Sequence, residues 1–257
     1  MSKVIVIKIG TSLVTDSNDS IDKQFIRSVS SQIRDLVEKG FEVTVVSSGA
    51  IAHGMKSWGI KEKPKEIDRL QALSAVGQIG LINAYQDEFR IHGLLAAQVL
   101  ISHGDFKDEN RSKNIKTSLK NIFCLGAIPI INENDSVSTE EIEFGDNDQL
   151  SGNVAKLICS ELLIILTDQD GVFDKNPTMN KNAKLLNEIK FTNVDKLEIE
   201  FGKAGEYGRG GMKTKLLAAE NYLNPNNKMY IANGKSENIL LDILSENRVG
   251  TVIRLAN

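Results

Sequence analysis

Val4-Ile5-Val6-Ile7-Lys8-Ile9-Gly10-Thr11-Ser12 stands near the head of the chain. The run is almost continuously β-branched until a glycine breaks it. That is the signature of a strand covered on both faces, as in a parallel sheet, rather than of a strand with one wet side. Lys8 lies at the end of this strand, followed by a glycine and two hydroxyls. Such a turn can meet a phosphate, because glycine lets the backbone approach and successive N–H groups form an anion nest. The spacing is not that of a GxxxxGK[ST] loop. A surface lysine before an ordinary turn would give the same letters, so the stretch alone does not decide the chemistry.

Working outward, strands and helices alternate. Ile21, Phe25, Ile26, Val29, Ile33, Leu36 and Val37 step by three and four and predict an amphipathic helix, with Gly40 suited to its left-handed end. Residues 41–46 read as a strand ending in Ser47-Ser48-Gly49-Ala50. Ile67, Leu70, Leu73, Val76, Ile79, Ile82, Tyr85 and Phe89 mark a long helix, followed by a strand over 94–101. Ile115, Leu119, Ile122 and Phe123 mark another helix before a strand over 128–131. A helix starting near Asp148 precedes a strand over 162–166. Residues 184–189 are a candidate strand in a less regular stretch. Residues 212–222 predict a helix, and 229–232 and 251–255 predict two last strands around a helix at 239–244.

This alternation predicts an α/β protein, a three-layer α/β/α sandwich with a mostly parallel central sheet. Ligands of such sheets bind at the carboxyl ends of the strands. Four polar clusters fall there: Lys8 to Ser12, Ser47-Ser48-Gly49, Asn132-Glu133-Asn134-Asp135 and Thr167-Asp168. One could be chance; four at one sheet edge argue for a site. The chain reads as one domain over 1–257, with a substrate-binding part to roughly residue 160 and a nucleotide-binding part beyond it.

Composition narrows the function. The 257 residues carry a formal net charge of -3, which disfavours a polyanion as the main partner. The N-terminal apolar run is too short for a signal peptide, and no run approaches the roughly 20 residues of a membrane span. The expected setting is the cytoplasm, with no nucleic acid and no membrane as partner. Cys124 and Cys159 fit no zinc spacing and read as two buried, reduced thiols. His53, His92 and His103 are scattered, and no protein metal site is assigned.

Two further stretches could carry chemistry. Six acids (Glu133, Asp135, Glu140, Glu141, Glu143 and Asp146) crowd fourteen residues, with Asp148 close behind. A solvated acidic loop, a site for a substrate ammonium and a hard-metal cluster all remain open on this reading. Arg209-Gly210-Gly211-Met212-Lys213-Thr214-Lys215 opens a helix. Glycines before a helix start offer unpaired N–H groups to phosphates, and Lys215 projects one turn inside.

In order, KIGTS, SSGAIAHG, INENDSV, FGDNDQLS, LTDQDGVFDKNP and RGGMKTK resemble the amino acid kinase family, and within it the branch that phosphorylates glutamate. The resemblance runs from Lys8 through Lys215, and the closing VGTVI also fits. It implies ATP-dependent phosphorylation of the γ-carboxylate of L-glutamate to L-glutamyl 5-phosphate, the first step of proline biosynthesis. It further implies catalytic roles for Lys8, Asp148 and Lys215, with the lysines neutralising the transferring phosphoryl group and Asp148 positioning them. Ser48, Asp135 and Asn147, with Asn132 and Asp146 nearby, would bind glutamate. Lys8, Thr167, Asp168, Arg209, Gly210, Gly211, Met212, Lys213, Thr214 and Lys215 would bind ATP, with Mg²⁺ carried largely on the nucleotide phosphates. A homo-oligomer, dimer or tetramer, is implied as well.

The chain departs from the family at Arg209, where threonine is frequent, and at Gly171 to Pro177, where GLYxxDP is frequent. Both departures leave nucleotide preference open. Many members carry an RNA-binding-like PUA domain after the kinase pattern, and none is expected here. Other family members acting on acetylglutamate, carbamate or a nucleotide, and a non-catalytic amino-acid sensor on the same fold, are the alternatives.

Overall fold

β1 (Lys3–Ile9) lies at the centre of the sheet, paired in parallel with β2 (Phe41–Ser47) on one side and β5 (Leu162–Thr167) on the other. The structure, a computed structural model, describes residues 3–18, 20–139, 147–197, 199 and 211–256. The other strands are β3 (Leu95–Ile101), β4 (Ala127–Glu133), β6 (Glu188–Phe191), β7 (Lys228–Asn233) and β8 (Thr251–Leu255). Among the described residues they form one sheet in the order β3-β4-β2-β1-β5-β7-β8-β6. Only the β7–β8 pair is antiparallel in it.

The helices divide between the two faces by the two-residue period of the strands. Ile5, Ile7 and Ile9 of β1 point to one face. There they meet α2 (Lys23–Glu38), α4 (Ile67–Ile91) and α8 (Ile239–Leu244). Val6 points to the opposite face with Val46, Ile131, Leu163 and Ile165, and meets α5 (Glu109–Cys124), α6 (Asn147–Leu157) and α7 (Met212–Tyr222). Each fully buried aliphatic side chain of these layers stabilises by about 1.5–3 kcal/mol. The same period places Lys8 on the α6–α7 face, at the open end of the strand. Short α1 (Thr11–Val14) follows β1 and α3 (Ala50–Ser57) follows β2.

The predicted layers and mostly parallel sheet are those observed. Asp22 caps α2 by accepting the Phe25 N–H at 2.9 Å, and Gly40 takes the left-handed φ of 87° beyond its last turn. Two details differ. The candidate strand at 184–189 is displaced to Glu188–Phe191; Leu185 makes only an isolated bridge to Phe173. The two cysteines are exposed, not buried. Cys124 ends α5, a helix that buries Leu119 and leaves most of its surface wet. Cys159 occupies a left-handed turn after α6, with φ 55°. Apolar neighbours in sequence did not report which way either thiol faces.

Among the described residues no helix is long and apolar enough to cross a membrane. The sheet order makes β4, β2, β1 and β5 consecutive neighbours. Their carboxyl ends carry the four polar clusters and lie side by side.

Candidate active site

Asp148 sits in the first turn of α6 and is fully buried. One carboxylate oxygen lies 2.6 Å from Lys8 Nζ. The other accepts from Lys215 Nζ at 3.0 Å and from Thr214 Oγ1 at 2.9 Å. Lys8 and Lys215 are themselves buried. The α6–α7 crossing makes this possible. A Cβ on Gly152, one turn beyond Asp148, would stand 2.8 Å from the Ala218 carbonyl oxygen, so the helices meet almost backbone to backbone. Asp148 and Gly152 share one face of α6, as Thr214 and Ala218 share one face of α7.

Two ammonium groups share one carboxylate, leaving a net positive centre in a place poor in water. Burial alone would push the Asp148 carboxyl up; Lys215 and Lys8 outweigh it and bring it down to about 2. For Lys215, burial lowers the pKa, Asp148 opposes the fall and Lys8 adds to it. The centre is therefore built to hold an anion.

On the opposite side of β1 and β2 the backbone supplies donors. Gly49 takes a left-handed φ of 103° to turn β2 into α3, and among the described residues no side chain caps that helix start. Its first-turn N–H groups remain available to an anionic ligand. α3 is held against α4 by glycine contacts: a Cβ on Gly54 would overlap the Leu73 carbonyl, and one on Gly77 would overlap that of Ala50.

Next to this turn lies a chain of buried amides. Asn147 Nδ2 lies within hydrogen-bonding distance of three acceptors for its two N–H groups: Ser47 O at 3.1 Å, Ser48 Oγ at 2.9 Å and Asn132 Oδ1 at 2.9 Å. Asn132 Nδ2 donates to Gln78 Oε1 at 2.8 Å. Asp135 closes the pocket. Its Oδ2 accepts from Ser74 Oγ at 2.5 Å and its backbone carbonyl from Gln71 Nε2 at 2.8 Å. Among the described residues its buried Oδ1 has no hydrogen-bond partner. Burial pushes this carboxyl up to about 6, opposed by the Ser74 hydroxyl and reinforced by Glu133. Glu133 in turn accepts from Ser138 Oγ at 2.6 Å and faces His103 Nδ1 at 3.0 Å, which ties down the start of the loop bearing Asp135.

The far side of Lys215 carries the other polar groups. Thr167 Oγ1 donates to Asp168 at the end of β5, at 3.1 Å. Gly211 starts α7 in extended conformation with no side-chain cap among the described residues. Thr214 Oγ1 lies 2.8 Å from the Gly211 carbonyl as well as against Asp148, linking the glycine stretch to the carboxylate.

Residues 3–233 match the model of the amino acid kinase family. The chain belongs to the amino acid kinase family. It is 44% identical to a glutamate 5-kinase of Burkholderia cenocepacia (strain HI2424) over 251 residues, 97% of this chain and 67% of that protein. It is 43% identical to a glutamate 5-kinase of Caldanaerobacter subterraneus subsp. tengcongensis over 247 residues, 96% of this chain and 66% of that protein. Among solved structures, a UMP kinase from Bacillus anthracis matches with a TM-score of 0.65 at 18% identity, covering 98% of this chain and 96% of that one. An isopentenyl phosphate kinase from T. acidophilum matches with a TM-score of 0.65 at 21% identity, covering 98% of this chain and all of that one. These last two likenesses concern the amino acid kinase fold.

Within this amino acid kinase the structure brings together Lys8, Asp148, Thr214 and Lys215 in one cluster, and Ser48, Asn132 and Asn147 in another. Asp135 belongs to the second through α4. Lys213 points elsewhere: it is half-exposed, and its Nζ lies 3.8 Å from Asp195. Asp146, Arg209 and Gly210 lie outside the described residues. Sequence reading missed Gln71, Ser74 and Gln78. They fall on the stripe of α4 that also carries the buried Leu70, Leu73 and Leu81. Polar residues on an otherwise apolar, buried stripe were the available signal.

Proposed function

We propose that the chain transfers the γ-phosphoryl group of ATP to the side-chain carboxylate of L-glutamate, giving ADP and L-glutamyl 5-phosphate, the first step of proline biosynthesis. The observation that carries the reading is the buried Lys8–Asp148–Lys215 cluster, set beside a pocket whose Asp135 Oδ1 has no partner among the described residues. The similarity to glutamate 5-kinases supports the choice of acceptor.

The chemistry follows from charge. A glutamate side-chain carboxyl has a pKa near ~4.3, so at neutral pH the nucleophile is already ionised and needs no general base. The barrier lies in bringing an anion to a triphosphate. Lys8 and Lys215 flank the transferring phosphoryl group and stabilise the charge on its oxygens, while Asp148 fixes both ammonium groups before substrate arrives. The N–H groups at the start of α3, with Ser48, hold the acceptor carboxylate in line. Asp135 pairs with the substrate ammonium, and Asn132, Asn147 and Asp146 complete the acceptor side. Thr167, Asp168 and the stretch Arg209 to Lys215 hold the nucleotide.

One net positive charge from the protein cluster falls short of neutralising a triphosphate, so the cluster suits a nucleotide that arrives with Mg²⁺ on its phosphates. The ion supplies additional charge neutralisation there. Substrate binding belongs to the part before roughly residue 160 and nucleotide binding to the part after it. The working form is a cytoplasmic homo-oligomer, checked by light scattering.

The test is ADP release with ATP and a panel of glutamate, aspartate, acetylglutamate, carbamate and UMP. Glutamate should stimulate release well above the others. Stimulation by another member of the panel instead would replace this reading with a different acceptor. No stimulation by any of them would favour a sensor.

A further inference from the structure

Gln78 stands on α4 one turn beyond Ser74 and is buried, with 6% of the residue exposed. Its amide orientation is fixed by the backbone at both ends of the amide chain. The Glu133 N–H donates to Asn132 Oδ1 at 2.9 Å, and a backbone N–H can only donate. Asn132 must therefore present Nδ2 to Gln78, and Gln78 must answer with Oε1. At the other end Asn147 Nδ2 faces the Ser47 carbonyl, which can only accept, so the same direction holds along the whole chain. What remains on Gln78 is Nε2, a buried donor with no hydrogen-bond partner among the described residues.

A buried amide donor left unpaired costs about 1–3 kcal/mol, so such groups are rare unless something completes them. Here a second orphan is tied to the same helix, in the loop after β4. Asp135 Oδ1 is a buried acceptor without a partner among the described residues, and its sister oxygen is held by Ser74. Ser74 and Gln78 are four residues apart on one helix face, where side chains are neighbours at about 5–6 Å. The pocket thus offers one unpaired anionic acceptor, held through Ser74, and one unpaired neutral donor a helical turn further along the same face of α4. An α-amino acid carries the complement on a single carbon: an ammonium that donates and a carboxylate that accepts.

We infer that Gln78 is a specificity-determining residue whose Nε2 donates to the α-carboxylate of the acceptor, while Asp135 takes the ammonium on the same carbon. This rests on the glutamate reading above. Gln78 reads the backbone end of the substrate, away from the reacting γ-carboxylate at Lys8 and the α3 start. Its loss should therefore weaken acceptor binding and leave the transfer step alone.

The test compares glutamate with its α-carboxamide analogue, which keeps the γ-carboxylate and the ammonium. The ratio of their kcat/KM values is measured in wild type, Gln78→Glu and Gln78→Leu. Gln78→Glu keeps an oxygen for Asn132 but turns the donor into an anionic acceptor. It should raise the glutamate KM by roughly 10–100-fold and shift the ratio toward the carboxamide by at least about 10-fold, with ATP KM unchanged. Gln78→Leu, neutral and of similar volume, should raise the glutamate KM by about 10-fold and shrink the preference for carboxylate, with kcat within about 3-fold. It stands alone if the charged variant does not fold. Equal losses on both substrates would reduce Gln78 to a structural support, and an unchanged ratio with unchanged KM would remove it from the site. Absence of glutamate-dependent ADP release in wild type would instead overturn the glutamate reading itself.

Discussion

Two buried polar regions meet at the carboxyl ends of β1, β2 and β4, and they are in opposite states. In the Lys8–Asp148–Lys215 cluster each charge already faces an opposite one at 2.6–3.0 Å. In the pocket of Gln78 and Asp135, a donor and an acceptor are buried with no partner among the described residues. The difference follows the chemistry each must do. A cluster that stabilises developing charge works best when its groups are fixed in advance, so reorganisation is complete before reaction. A pocket that selects a ligand gains most when the ligand supplies the missing partners, because a wrong ligand leaves them unsatisfied.

The largest effect should come from breaking the paired side. Lys8→Ala or Lys215→Ala is expected to lower kcat by about 10³-fold or more, on the order of 4 kcal/mol of transition-state stabilisation. Cooperative thermal unfolding should persist in both. Near-normal turnover in both variants would remove the lysines from the chemistry.

Next comes the carboxylate that holds them. Asp148→Asn leaves two buried ammonium groups facing each other and should destabilise the fold by about 3–5 kcal/mol in urea unfolding. Either lysine variant should cost less, since Asp148 keeps its other partner. An Asp148→Asn protein as stable as wild type would show that the cluster is not a strained arrangement held by one anion.

A smaller effect separates the two aspartates by pH. Asp148 is held at about 2, below its ordinary 3.8, so the stability it contributes is present above pH 4 and is lost as pH falls toward 2. Asp135 is raised to about 6, so the folded state retains a proton that the unfolded chain has released. Its share of stability therefore falls as pH rises from about 4 to about 6. Asp135→Asn should abolish that slope and stabilise the protein above pH 6, by up to about 3 kcal/mol. Melting temperatures from pH 4 to 8 check this; a variant less stable than wild type at pH 8 would contradict the unpaired state of Asp135 Oδ1.

Much of this was legible in the sequence, for identifiable reasons. The strands are β-branched runs closed by glycine or polar turns, which put Lys8 at a strand end; its facing Asp148 across the α6–α7 side of the sheet is visible only in the structure. The role of Asp148 was not legible from spacing. It depends on the α6–α7 crossing that Gly152 permits, and reached the sequence reading only through family resemblance. Gln71, Ser74 and Gln78 are hidden because the apolar steps define α4, and a polar residue on such a stripe carries no signal until its buried partner is visible. The cysteines failed for the converse reason: apolar neighbours say little about which face of a helix end is covered.

The most direct test of the central claim is ADP release at pH 7.5 titrated with glutamate, in wild type and Asp135→Asn. Wild type should show saturable, glutamate-dependent release. In the variant the half-saturating glutamate should rise by roughly 100-fold, with the plateau and the ATP KM close to wild type. Release indifferent to glutamate, or a plateau that falls while half-saturation stays put, would contradict it.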